Sequence, residues 1–143
     1  MSQQPTDDAD YVLDRQVGFI MRQANQRHLS IFARHIPELT PMQFAALAQL
    51  CALGPVSQNA LGRATAMDAA TIKGVIDRLR LKGYIASAAD PDDLRRVLLT
   101  ATGEGRAAFD ALVPLAQGIT AETLDPLDPA ERAEFLRLLS KLR

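Results

Sequence analysis

One stretch of this chain, residues 67–100, constrains the fold more than any other. Asp68 is a favourable helix N-cap, because a short carboxylate can accept a hydrogen bond from the free amides of the first helical turn. Apolar residues then recur at spacings of three and four, which predicts a helix that buries one face: Ile72, Val75, Ile76 and Leu79. Gly83 is the expected end of this helix.

The outward face of this helix is basic, and a charged hairpin follows it. Between Lys73 and Lys82 there are four basic residues and one acid, whereas the whole chain has a formal net charge of −1. Strand-compatible segments at 84–89 and 96–100 flank the polar run Asp90-Pro-Asp-Asp-Leu-Arg, whose proline cannot continue a ladder. A basic helix fits the major groove of B-DNA, about 12 Å wide, and a charged hairpin can contact the backbone or the minor groove. Solvated helix faces and turns are often charged too, so this stretch alone leaves an ordinary charged surface open.

Composition and length indicate one soluble, mainly helical domain. The 143 residues are 48% hydrophobic and rich in Ala and Leu, which favours helix. No apolar run approaches the roughly 20 residues of a membrane span, and the polar residues 1–9, expected to lack regular structure, have no basic and apolar signal regions. We therefore expect a cytoplasmic protein with no membrane partner.

The single cysteine has two interpretations. Cys51 lies in a helical apolar pattern, where small buried thiols are frequent, and no basic residue close in sequence would lower its pKa. The pattern favours a packing role. A redox sensor is the alternative.

Five further helices complete the chain. The first is predicted from about Asp10 to His35, with apolar residues on more than one side, which indicates that a second subunit packs against it. A second runs from Pro41, behind the N-cap Thr40, to about Leu53, and a third, capped by Ser57, runs to Ala64. Together with the helix after Asp68, the third has the lengths of a helix-turn-helix. The fifth extends to about Leu124, and the last begins at the Asp128-Pro129 cap; its apolar residues also predict a dimer contact.

This order of elements resembles the MarR family of winged helix-turn-helix regulators over nearly the whole chain. The markers are Ser57-Gln-Asn-Ala-Leu-Gly-Arg, Met67-Asp-Ala-Ala-Thr-Ile-Lys, Gly83-Tyr-Ile, and Asp90-Pro-Asp-Asp-Leu-Arg-Arg followed by Leu98-Leu-Thr-Ala-Thr-Gly. The departure is Ala101, where the family commonly has proline. The resemblance implies a mainly α fold with a small β-hairpin, a winged helix-turn-helix of six helices. It implies a single regulator chain over 1–143, a homodimer through helices in 10–36 and 104–143, and a DNA-binding lobe over 40–103.

The resemblance also implies a role for particular residues on a palindromic operator in double-stranded DNA. Arg95 would enter the minor groove, and Asp93 would orient Arg95 or a nearby arginine through a charge-assisted hydrogen bond. The helix after Asp68 would serve the major groove and its phosphates, and the start of the third helix would contact the backbone. The predicted DNA-contacting residues are Ser57, Gln58, Asn59, Asp68, Thr71, Lys73, Arg78, Asp93, Arg95 and Arg96.

Many proteins similar to this one lose DNA affinity when a small aromatic or phenolic acid binds between the dimer helices and the DNA-binding lobe. The candidate residues for such a ligand are Arg15, Arg22, His28, Phe44 and Met67. An arginine could hold a carboxylate with two hydrogen bonds, and His28 could donate a third. The alternative for each is structural, because a lone histidine on a helix stripe is commonly satisfied by a neighbouring oxygen.

Other functional classes are less compatible with the sequence. There is no Gly-rich phosphate loop, no GxSxG, no HExxH and no cysteine pair. His28 and His35 are seven residues apart on one helix, about 10 Å, which does not favour a shared metal. We therefore expect no enzyme, no metal site and no cofactor. The remaining rival is a winged-helix module for protein contacts, which would associate with DNA only weakly and without salt dependence.

Overall fold

The computed structural model describes residues 10–143; the predicted irregular stretch 1–9 lies outside the described residues. A 3-10 turn, Leu13–Arg15, precedes six α-helices and two strands within this range. They are α1 (Val17–His35), α2 (Pro41–Leu53), α3 (Gln58–Ala64), α4 (Ala69–Leu81), β1 (Ile85–Ala89), β2 (Val97–Ala101), α5 (Gly103–Thr123) and α6 (Pro129–Ser140). This confirms the predicted fold class. None of the helices in residues 10–143 is long and apolar enough to cross a membrane.

Side-chain caps determine where five of the helices begin: the sequence predicts four of these caps, and the fifth is Thr102, which accepts from the Gly105 amide at the start of α5. In each case a side-chain oxygen accepts a hydrogen bond from the amide three residues later, which satisfies one of the free amides of the first turn. The four predicted caps pair Thr40 with Gln43, Ser57 with Ala60, Asp68 with Thr71, and Asp128 with Glu131. The caps at Thr40 and Asp128 are reciprocal capping boxes with a proline at the start of the helix.

The first helix is shorter than the sequence predicts. It begins at Val17 rather than near Asp10, because Gln16 has an extended backbone, with φ −87° and ψ 133°. The side-chain amide of Gln16 donates to the carbonyl of Val12 at 3.0 Å. This local bond gives the backbone an alternative to the helical ladder, and the apolar spacing that continues through Leu13 does not reveal it.

The hairpin is accompanied by a third, very short strand. β1 and β2 are antiparallel, with Ile85 opposite Ala101 and Ala89 opposite Val97. Leu99 of β2 also exchanges two backbone hydrogen bonds, of 2.7 and 3.0 Å, with Val56 just before α3. Leu99 is only 2% exposed. We call the hairpin at residues 85–101 the wing. The contact between Val56 and Leu99 connects the start of α3 to the wing.

The core joins the segment at residues 40–103 to the second half of α1 and to α5. It brings together apolar side chains from α1 to α5: Ile31, Phe32, Ile36, Leu39, Ala46, Leu47, Leu50, Leu61, Ile72, Val75, Ile76, Leu79, Ile85, Leu99, Ala101, Leu112 and Ile119. The first half of α1 contributes none of them, and α6 has no buried residue. Apolar side chains on these two segments therefore remain exposed in the protomer.

Candidate nucleic-acid interface

A tight turn holds α4 against α3. Ala66 adopts a left-handed conformation with φ 54°, and the Met67 amide donates to the Gly62 carbonyl at 2.9 Å. The Thr65 hydroxyl donates to the Leu61 carbonyl at 2.7 Å. Gly62 is buried, and a Cβ there would lie 3.2 Å from the Met67 carbonyl oxygen and 3.3 Å from a methyl group of Ile72. The two helices thus form the predicted helix-turn-helix.

The exposed face of α4 carries a partly neutralised basic surface. Asp77 accepts hydrogen bonds from Lys73 Nζ at 3.0 Å and from Arg80 Nη1 at 3.3 Å. The acid in the sequence count is Asp77, and this one carboxylate pairs with two of the four basic residues, so Arg78 and Lys82 are the basic residues of this face without an acidic partner among the described residues.

Other residues that the sequence predicts to contact DNA lie at the starts of α3 and α4. Ser57 is half-buried and its Oγ accepts from the Ala60 amide at 3.2 Å, whereas Asn59 beside it is exposed. Asp68 accepts from the Thr71 amide at 2.8 Å. The amide of Thr71, and next its hydroxyl, hold the pKa of Asp68 below its usual value. Asp68 therefore acts as a helix cap in this structure. Gln58 is half-buried in the first turn of α3.

At the tip of the wing, one acid holds the exposed arginine. Asp93 Oδ1 accepts from the backbone amide of Arg95 at 3.1 Å and from its Nε at 3.2 Å. Asp90 similarly accepts from the Asp92 amide at 2.9 Å, which tightens the turn. The Arg95 side chain is 92% exposed, and its Nη atoms have no partner within the described residues. The guanidinium therefore projects from the wing, and the exposed Arg96 follows it.

The five candidate ligand residues lie in different places within one protomer. Arg15 lines an apolar groove of about 500 Å³ between α1 and α6. His28 lines a neighbouring groove of about 390 Å³, and Arg22 is exposed on α1. Phe44 instead packs in the core, with ring centroids 6.2 Å from Phe32 and 5.7 Å from Phe109, and Met67 also packs against the core. One chain by itself does not bring the five side chains into one cavity.

A polar cluster between α1 and the end of α5 was not predicted. Arg27 donates to the carbonyls of Thr123 and Glu122 at 2.6 and 2.8 Å, and Arg34 pairs with the Glu122 carboxylate at 2.8 Å. His28 Nδ1 lies 2.9 Å from Thr123 Oγ1, and His35 Nε2 lies 3.6 Å from Glu122. One feature of the sequence could have indicated this cluster. Arg27 and Arg34, like His28 and His35, are seven residues apart and therefore lie on one face of α1. The hydroxyl of Thr123 is therefore a hydrogen-bond partner for His28, as expected if His28 has a structural role instead of a ligand-binding one.

Cys51 lies half-buried between α2 and α5, beside Phe109, and is packed against the core. Burial is the main cause that raises the pKa of its thiol; Arg106 opposes the shift and Asp110 adds to it. Arg106 is distant in sequence, so its proximity was not predicted. A raised pKa leaves the thiol protonated near neutral pH, which disfavours the sensor interpretation because the thiolate is the reactive form.

Comparisons with known proteins agree with this architecture. A sequence model of the MarR family matches residues 38–96. The HTH-type transcriptional repressor NicR of Pseudomonas putida is 39% identical over 143 residues, which cover 99% of this chain and 90% of NicR. A crystal structure of a probable transcriptional regulator from Pseudomonas aeruginosa is 50% identical with a TM-score of 0.90, and the match covers 92% of this chain and 100% of that one. The structure of Bordetella bronchiseptica BpsR, described as the mechanism for regulation of its DNA binding by 6-hydroxynicotinic acid, is 43% identical with a TM-score of 0.90; the match covers 94% and 97%.

Proposed function

Since this chain belongs to the MarR family of transcriptional regulators, we propose that it is a homodimeric repressor of a palindromic operator, released by a small aromatic carboxylic acid. The observation that carries the proposal is the likeness along almost the entire chain to a named repressor and to a regulator whose DNA binding responds to such an acid. The chain is accordingly a regulator and not an enzyme.

The proposed DNA contacts divide between the two arms of the lobe at residues 40–103. α4 enters the major groove, with Thr71, Lys73 and Arg78 facing bases and phosphates, while Ser57, Gln58 and Asn59 contact the backbone. Arg95 enters the minor groove, and Arg96 contacts the adjacent backbone. The contact between Asp93 and Arg95 favours the minor-groove role of Arg95. The Asp93 carboxylate contacts Arg95 at its backbone amide and its Nε, so the guanidinium is held in place while its Nη atoms remain available for DNA.

The proposed dimer forms through the segments 10–36 and 104–143. The N-terminal half of α1 exposes Val17, Ile20 and Met21, and α6 exposes Phe135 and several leucines. Contiguous apolar surface of this kind typically marks an interface. Covering it with a second copy would place two lobes side by side, as a palindrome requires.

We propose that the effector binds at the junction of the dimer helices and the lobe. Arg15 and His28 line apolar grooves on the surface assigned to the dimer, so a second copy can enclose them. Arg15, Arg22 and His28 would bind the carboxylate, and Phe44 and Met67 would be apolar walls after a rearrangement of the core edge. Release requires the acid to prefer a spacing of the lobes that DNA does not.

Two linked experiments test this function. Selection of bound sequences from random duplexes should return a palindrome with half-sites about one helical turn apart. The recovered duplex is then titrated with protein in the presence of 6-hydroxynicotinic acid, benzoic acid and an uncharged amide of each. An acid that lowers affinity while its amide does not supports the proposal. Failure to recover any palindrome would refute the operator, and equal affinity with every compound would refute this effector class.

A further inference from the structure

Arg80, near the end of α4, is directed towards the wing. Its Nη2 donates to Ser87 Oγ of β1 at 2.7 Å, and its Nη1 donates to Asp77 at 3.3 Å. Asp77 in turn accepts from Lys73 at 3.0 Å. We call the Asp77, Arg80 and Ser87 side chains the helix–wing brace. The sequence count includes Arg80 among the four basic residues of this helix but does not predict a contact for it.

The strand register explains why Ser87 faces α4. Side chains alternate between the two faces of a strand, so Ser87 lies on the same face as the buried Ile85. Its cross-strand partner Leu99 is also buried. Between α4 and the wing, the bond from Arg80 to Ser87 is the only side-chain hydrogen bond within residues 10–143.

The helix–wing brace lies at the base of the wing, so a small change of angle there moves the wing tip, which carries Arg95. From Ser87, β1 runs only to Ala89 before the turn at Asp90, so the wing tip lies on the order of 10 Å beyond Ser87. A rotation of about 10° at Ser87 would therefore displace the wing tip by about 2 Å, enough to break a hydrogen bond. The angle of the wing relative to α4 decides whether Arg95 meets the minor groove when α4 lies in the major groove.

We propose that Arg80 and Ser87 are positioning residues that set the angle between α4 and the wing, and with it the match between major-groove and minor-groove contacts. The inference rests on the DNA-binding mode proposed above. Arg80 then acts through Arg95 and makes no phosphate contact of its own. Fixing the wing before binding lowers the entropy lost when Arg95 is immobilised on DNA.

The brace is exposed to water, so its effects on stability and on DNA binding should separate. Arg80 and Asp77 each have 47% of the side chain exposed, and ion pairs of this kind contribute little to folding. A variant without the brace should consequently unfold at the same temperature as the wild type and still bind DNA more weakly.

The test uses the palindromic duplex that the wild-type dimer selects. Ser87→Ala should weaken binding about threefold to tenfold, and Ser87→Thr, which keeps the hydroxyl, should retain most of the affinity. In an Arg95→Ala background, Ser87→Ala should have no further effect, because the contact it positions is already gone. Arg137→Ala is the matched control: it removes an arginine paired with an acid three residues away, on α6, and should leave the affinity unchanged.

Two results would contradict the positioning role of Arg80 and Ser87 without contradicting the proposed binding of a palindromic operator. One is wild-type affinity for Ser87→Ala. The other is an equal loss for Ser87→Ala with and without Arg95. Arg80→Ala adds a check, since loss of a direct phosphate contact lowers the salt dependence of binding even when Arg95 is absent, whereas loss of the brace does not. If the wild type selects no palindrome, the operator and the brace fail together.

Discussion

At the wing tip, the carboxylate of Asp93 holds the exposed side chain of Arg95, for which we propose a contact in the minor groove. Asp93 contacts both the backbone and the Nε of Arg95, so the base of the guanidinium is fixed before any partner arrives. The family resemblance predicts that Asp93 holds Arg95 or a nearby arginine, and the structure shows that the partner is Arg95, two residues away in the same turn. The partner of Arg80 was not predictable in this way, since Ser87 becomes its neighbour only when the wing packs beside α4.

The first prediction concerns Arg95. Arg95→Ala should weaken operator binding about tenfold or more, because a charged contact in the minor groove is lost. Measurement is by gel-shift titration at fixed salt, with Arg137→Ala as the control for removing an exposed arginine elsewhere. Unchanged affinity would contradict the role assigned to the wing.

The second prediction concerns the acid that caps α4. The pKa of Asp68 is lowered in the folded state, so its contribution to stability is present above its ordinary pKa, about 3.9, and is lost as the pH falls through and below that value. Asp68→Asn keeps the cap and does not titrate. Thermal unfolding at one protein concentration should give similar midpoints for both proteins at pH 7, and the wild type should lose more stability on acidification to pH 3. If the unfolding midpoints of the two proteins fell in parallel with decreasing pH, the charge of the Asp68 carboxylate would not contribute to stability.

At the scale of the element, helix starts were well predicted because their determinants are local. Thr40, Ser57, Asp68 and Asp128 each cap a helix through an amide three residues away. What the sequence missed depends on distant chain segments or on competition between local bonds. The strand contact at Val56 involves a single residue, too short to give a pattern, and the start of α1 depends on the side-chain bond of Gln16. The separation of the ligand candidates within one protomer could not be predicted either, because the periodicity of α1 does not indicate which helix packs against each residue.

The third prediction concerns the join between the wing and α5. A Cβ on Gly105 would overlap the Tyr84 carbonyl oxygen and lie 2.9 Å from its carbon, whereas a Cβ on Gly103 would meet nothing within 4 Å. Gly105→Ala should therefore lower the free energy of unfolding by about 1–3 kcal/mol, since the obstacle is backbone that moves only with β1. Gly103→Ala, in the same helical turn, should be neutral or stabilising by up to about 1 kcal/mol. Urea unfolding of both variants measures the difference; equal values would show that α5 can move away from Tyr84 without loss.

At the scale of the whole molecule, the protomer is divided between a packed lobe and a surface that lacks a partner. The first half of α1 and all of α6 present apolar side chains, while the polar cluster of Arg27, Arg34 and Glu122 holds α1 to the end of α5. That cluster joins the helices assigned to the dimer in each chain. Both α1 and α5 contribute side chains to the core, so the helices that we propose as the dimer contact are packed directly against the lobe.

The fourth prediction concerns this surface. Leu139→Glu introduces a charge into the apolar groove between α1 and α6 and should shift the protein from dimer to monomer. Met42→Glu, at a somewhat more exposed apolar residue in the first turn of α2, should remain dimeric. Sedimentation equilibrium of the two variants over a range of concentrations distinguishes them. A dimeric Leu139→Glu protein would place the interface elsewhere.

In the proposed complex, two copies of the lobe bind two half-sites through charged contacts to both grooves. The most direct test is the Kd of the wild-type protein for the selected palindrome at increasing salt, beside a duplex of equal length in which one half-site is scrambled. We predict a linear fall of log affinity with log salt for both, and a preference of at least about a hundredfold for the intact palindrome. Equal affinity for the two duplexes, or affinity that does not change with salt, would contradict this account.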